Sequence, residues 1–150
     1  MMDREGIRLR MWIAERADLY TLKYGEFSTT DIWHFLDVEH TRHAPTLKET
    51  RAILGIMPEM EHTGRDRWRY SPQRIPEDEQ GIIQVCIMAS GAIPVCALQD
   101  RYGQEAVRLA ERNGTIRIDE YYGGAEIEGG WASLTELGAM RARGLWGAVA

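Results

Sequence analysis

Apolar positions along this chain recur mostly at helical spacing, broken by short alternating stretches and by a few glycines and prolines. From Asp3 to about Leu22, Ile7, Met11 and Ala14 share one face, and Trp12, Ile13, Arg16 and Tyr20 broaden it, which predicts a helix. Gly25-Glu26-Phe27 breaks the pattern, and Ser28-Thr29-Thr30-Asp31 offers N-caps for a second helix over about Thr30–Glu39. That helix carries Ile32, Trp33, Phe35, Leu36 and Val38. After the linker from His40 to Pro45, Thr46 with Glu49 three residues on has the pattern of a capping box. The helix it opens has an apolar stripe of Leu47, Ala52, Ile53 and Ile56, which leaves Lys48, Glu49 and Arg51 outward. Beyond Pro58, Met60-Glu61-His62 and Trp68-Arg69-Tyr70 are expected to pair as strands across Thr63-Gly64-Arg65-Asp66, with Gly64 free to take positive φ.

Pro72-Gln73-Arg74-Ile75-Pro76 reads as a linker, and Glu77-Asp78-Glu79 suits a helix start, where the macrodipole favours acids. The element order then repeats. Gly81–Ser90 is a helix apolar nearly all round, read as buried between elements. Pro94 leads a helix over Val95–Tyr102 that ends at Gly103. Gln104–Asn113 turns Ala106, Val107, Leu109 and Ala110 inward and stops at Gly114. Thr115–Ile118 alternates as a strand, Gly123-Gly124 turns, Ala125–Glu128 returns, and a closing helix runs to about Arg143. Shared order and spacing predict two units, 1–75 and 76–150, in a mostly α chain with small β hairpins, of α+β class. A single four-helix α+β domain is the competing reading.

Composition narrows this picture. A chain of 150 residues with 44% apolar content can bury one sizeable core or two small ones. It has no run of about 18 apolar residues, so no membrane span is expected. The first residues, MMDREGIRLR, lack the apolar core of a secretory signal. With only Cys86 and Cys96, that leads to the expectation of reduced thiols in a cytoplasmic protein, forming neither a disulfide nor a nucleophile. The net charge is −5, and it is uneven: residues 1–75 hold 12 Lys+Arg against 12 Asp+Glu, residues 76–150 hold 6 against 11. A polyanion would therefore meet the N-terminal half.

Helix, helix, turn, helix, hairpin resembles a winged helix-turn-helix domain, and the whole chain resembles a tandem winged-helix protein of the kind found among archaeal and bacterial transcription regulators. The segment W-x-x-L-T-E-L-G at Trp131–Gly138 is similar to the strand-to-helix exit after the wing in such regulators. The resemblance implies DNA binding by a recognition helix and a wing. It carries over to the first unit only, because the second wing, from Ile118 to Glu128, holds Asp119, Glu120, Glu126 and Glu128 and would repel phosphate.

The candidate DNA-binding residues are Thr46, Lys48, Arg51, Arg65, Arg67 and Arg69, with His43 and His62 nearby. Alternation is expected to put the three hairpin arginines on one side and Trp68 and Tyr70 on the other. The plainer reading is a solvated hairpin whose arginines pair with Glu59, Glu61 and Asp66. In the second unit, Arg108 and Arg112 beside Glu105 and Glu111 read as an ordinary surface helix. The apolar stretches Ile82–Met88 and Leu145–Val149 are candidates for packing on the core or for a dimer contact. His34, His40 and His43 with Asp37 and Glu39 invite a metal reading, but no cysteine lies nearby and structural zinc uses a tighter four-ligand pattern, so no metal is expected. Signatures of catalysis are missing: no phosphate loop, G-x-S-x-G, H-E-x-x-H or C-x-x-C occurs. The expectation is a non-enzymatic, cofactor-free, DNA-binding transcriptional regulator. Its partners would be double-stranded DNA and, through the C-terminal half, a second copy or another protein, with no membrane involved. The alternative is an acidic interaction scaffold similar to accessory subunits of chromosome-segregation complexes, with little DNA binding.

Overall fold

The computed structural model describes residues 2–39 and 44–147, with only the backbone of Glu39. The chain is α+β and divides into two compact units, Arg10–Arg74 and Met1–Leu9 together with Ile75–Ala150. The earliest residues thus group with the C-terminal half. Ile7 is buried there, and Met2 lies where a side chain at Gly114 would have to go.

Helix α1 (Arg4–Tyr24) starts among the residues grouped with the C-terminal half, and its part in the unit Arg10–Arg74 buries Ile13, Ala14 and Ala17. It ends at Gly25, whose φ of 85° lets its N–H cap the Thr21 carbonyl at 2.8 Å. Two residues then form strand β1 (Phe27–Ser28), where the sequence pattern shows only a break. Helices α2 (Thr29–Glu39) and α3 (Leu47–Ile56) follow, then the hairpin β2 (Met60–Gly64) and β3 (Arg67–Tyr70) and a short 3-10 turn at Pro72–Arg74. The sheet is antiparallel in the order β1-β3-β2, so Trp68 pairs with Phe27 on one side and His62 on the other. Phe27, Ile32, Leu36, Leu54, Met57, Met60, Trp68 and Tyr70 are all buried.

The second unit repeats the order. Helix α4 (Glu77–Met88) is followed by strand β4 (Ala92–Pro94), helices α5 (Val95–Tyr102) and α6 (Gln104–Arg112), the hairpin β5 (Ile116–Tyr122) and β6 (Ala125–Leu134), and α7 (Glu136–Trp146). Its sheet order is β4-β6-β5, so here too the short strand pairs with the hairpin's second strand. Its core joins Ile82, Cys86, Val95, Leu98, Val107, Ala110, Ile116 and Ala132. Helix α4 is not apolar all round: Ile82, Ile83 and Cys86 face inward, while Gln84 and Met88 are exposed. Leu145 and Trp146 of the apolar tail form the last turn of α7, and Val149 lies outside the described residues.

Two charged side chains lie inside this unit. Glu79 is 1% and Arg141 0% exposed. Glu79 accepts from Asn113 at 2.7 Å and from the Thr115 hydroxyl at 2.8 Å. Arg141 donates to the Asn113 carbonyl at 2.6 Å and to the same Thr115 hydroxyl at 2.8 Å. Burying charge is costly unless every polar atom is met, and this network meets them while tying α4, the α6–β5 turn and α7 together.

Candidate nucleic-acid interface

Helix α3 begins as its sequence requires. The Glu49 N–H donates to the Thr46 hydroxyl at 3.1 Å, and the Thr46 N–H donates to the Glu49 carboxylate at 3.2 Å, which completes the capping box. Of the candidates, Thr46 therefore has its hydroxyl committed to the helix end. The buried stripe differs from the one the apolar residues suggest. Thr50 and Leu54 are inside, while Ala52 and Ile56 are exposed. Thr50 tolerates burial because its hydroxyl donates to the Thr46 carbonyl at 2.8 Å. The outer face of α3 presents Lys48, Arg51, Ala52 and Gly55.

The hairpin turn is Arg65-Asp66. Positive φ falls on Asp66, at 56°, and Gly64 instead pairs with Arg67 in the ladder. Aspartate tolerates this left-handed conformation better than most residues. Here the neighbours also hold it: the Thr29 N–H donates to the Asp66 carbonyl at 3.2 Å, and the Thr29 hydroxyl donates to its carboxylate at 3.3 Å. The Thr29 hydroxyl in turn accepts from the buried Trp68 indole at 2.9 Å. From α3, Arg51 reaches the same carboxylate with two bonds, Nε to Oδ1 at 2.7 Å and Nη2 to Oδ2 at 3.0 Å. This fork holds the Asp66 carboxyl below its usual range and pushes the Arg51 guanidinium up.

The arginines of β3 face outward and Trp68 and Tyr70 inward, as alternation requires, whereas Arg65 sits in the turn. Arg67 donates to Glu26 at 3.0 Å, and Arg69 lies 3.6 Å from Glu61. Glu26 also accepts from the Thr63 hydroxyl at 2.9 Å, and that bond, with Arg67 after it, lowers the pKa of its carboxyl. Glu26 lies in the stretch that reads only as a break between helices, so nothing in the sequence marked it as a partner. Of the acids expected to pair with the arginines, Glu61 and Asp66 do so, Asp66 through Arg51, while Glu59 is fully buried. Lys48 and Arg65 make no ion pair among the described residues. The exposed His62 stacks on Trp68 at 4.6 Å, and His43 lies outside the described residues.

The corresponding surface of the second unit has the opposite sign. On α6, Arg108 pairs with Glu105 at 2.7 Å, and the β5–β6 hairpin exposes Asp119, Glu120, Glu126 and Glu128 around Tyr121 and Tyr122. No group of three or more metal-ligating side chains occurs among the described residues; His40, His43 and the Glu39 side chain lie outside them. Both cysteines are free thiols, and burial pushes that of Cys86 up to about 11. Among the described residues no helix is long and apolar enough to cross a membrane. No protein-family model, curated protein or solved structure matches the chain.

Proposed function

We propose that both units are winged helix-turn-helix domains in tandem and that the chain is a cytoplasmic, duplex-DNA-binding transcriptional regulator, a binding protein rather than an enzyme. The Arg51–Asp66 fork carries the reading. It links the outward face of α3 to the tip of the hairpin, where Lys48, Arg51 and Arg65 are exposed. A helix of this kind fits a major groove about 12 Å wide, and the cations beside it suit flanking phosphates. The C-terminal unit, with its acid excess, serves a protein partner or a second copy of the chain. The ion-paired Arg67 and Arg69 favour the competing reading, an interaction scaffold with little DNA binding, because a paired arginine attracts phosphate less.

Fluorescence anisotropy of the full chain with a labelled mixed-sequence duplex, across several salt concentrations, tests this. Affinity is expected to fall on a log–log plot with a slope of about −0.9 for each phosphate neutralised. Lys48→Ala and Arg65→Ala should each make that slope shallower by about one such step. The absence of binding at low salt would remove the regulator reading and leave the scaffold.

A further inference from the structure

The Arg51–Asp66 pair has an orientation that general attraction to phosphate does not need. A guanidinium offers two edges for paired hydrogen bonds, one formed by Nε and Nη2 and one by Nη1 and Nη2. Asp66 occupies the first through its two oxygens. The second edge carries no bond to any described residue, and the Arg51 side chain is 46% exposed. Asp66 is itself fixed by Thr29 through both main chain and side chain, so the free edge of Arg51 is aimed rather than mobile. The carboxylate also nearly cancels the charge of Arg51. That makes the pair poorly suited to phosphate and well suited to a neutral double acceptor.

Resting on the DNA-binding reading above, we propose that Arg51 is the base-reading residue of this surface, specific for guanine through the O6 and N7 acceptors of its major-groove edge, and that Asp66 is its positioning residue. Among the four bases only guanine presents two adjacent acceptors in that groove. The neighbouring Ala52 and Gly55 add little bulk to the same exposed face, which lets the helix backbone come close. Lys48 and Arg65, without ion pairs among the described residues, flank the pair and supply the phosphate contacts that carry no sequence information.

A randomised duplex library, selected on the full wild-type chain, provides the probe. The preferred duplex should hold a guanine whose replacement by 7-deazaguanine, which lacks the N7 acceptor, weakens wild-type binding roughly tenfold. Arg51→Met should lose the preference for guanine at that position while its salt slope stays close to that of wild type. Asp66→Asn should keep binding but discriminate less. A purely structural pair would instead change stability and leave base preference untouched. The assignment is overturned if selected duplexes bind equally well with 7-deazaguanine at every guanine, a result that needs no variant to fold. It is also overturned if Arg51→Met keeps the wild-type preference. If no duplex binds even at low salt, the DNA-binding reading fails as well, and that outcome is distinct from binding without guanine dependence.

Discussion

Both units run helix, short strand, two helices and hairpin around sheets of the same strand order, yet their hairpins carry opposite chemistry. In the first, a turn on Arg65-Asp66 is bonded to α2 and α3, and outward arginines are matched to carboxylates. In the second, the hairpin is longer, turns on Gly123-Gly124 and bears exposed acids and tyrosines. Interior positions are alike in kind, and the sign of the surface is free to differ. Charge at exposed positions changes what a unit can bind at little cost to its fold. The units also differ in where their polar bonds are placed. The first buries some of them, the Trp68–Thr29 bond among them, but its arginine pairs lie near the surface, whereas in the second a buried arginine joins the α6–β5 turn to α7.

That last difference gives the largest expected effect. Arg141→Ala in the second unit strips the Asn113 carbonyl and the Thr115 hydroxyl of their donor and removes the buried cation beside Glu79. Breaking a buried charged network in this way costs about 3–5 kcal/mol. Hydrogen exchange should show lost protection in α7 and β5, with protection in α2 and α3 nearly unchanged. Arg67→Ala, which breaks an exposed pair in the first unit, should alter exchange very little. Equal losses from the two variants would erase the contrast between buried and surface networks.

A pair of glycines sharpens the comparison of the hairpins. Gly130 has φ of 85°, and a Cβ there would stand 2.9 Å from the Asp119 carbonyl oxygen. Gly130→Ala should destabilise the second unit by about 1–2 kcal/mol from the left-handed backbone alone. Gly64 in the first hairpin has ordinary backbone, and its nearest neighbour would be the Arg67 Cβ at 3.8 Å. Gly64→Ala should therefore be neutral, or stabilising by up to about 1 kcal/mol through the unfolded state. Thermal unfolding of the two variants checks both signs.

What could be read from the sequence follows from how local each signal is. Helical periodicity and end signals mark α2, α3, α5 and α6, and the capping box of Thr46 and Glu49 is visible because its partners are three residues apart. Strands β1 and β4 leave no trace, since two or three residues show no alternation and exist as strands only through β3 and β6. The burial of Thr50 is hidden because composition marks threonine as polar, whereas its hydroxyl is satisfied one turn back. Glu79 reads only as one of three acids suited to the start of α4, and its partners arrive from 34 and 36 residues away. At the candidate interface the cations were legible as a group. The carboxylates that hold them, Asp66 through Arg51 and Glu26 through Arg67, depend on tertiary contact.

The smallest expected effect concerns those carboxylates. Asp66 and Glu26 lie below their ordinary values of 3.8 and 4.5, so both ionise more readily in the folded chain than in the unfolded one. Each therefore adds stability that is complete above its ordinary value and is lost as pH falls through its depressed one. Both groups are partly exposed, and solvent keeps the contribution modest. The Trp68 indole reports on Asp66, because it donates to the Thr29 hydroxyl that donates to that carboxylate. Its N–H resonance should shift on acidification with a midpoint below 3.8, and Asp66→Asn should abolish the step. Arg51→Met should move the midpoint back up, since the guanidinium is the largest cause of the depression. A wild-type midpoint at or above the ordinary value would mean that the fork is not kept in solution. The hairpin tip would then keep its main-chain bond from Thr29 but lose its side-chain link to α3, and Arg51 would have no fixed direction.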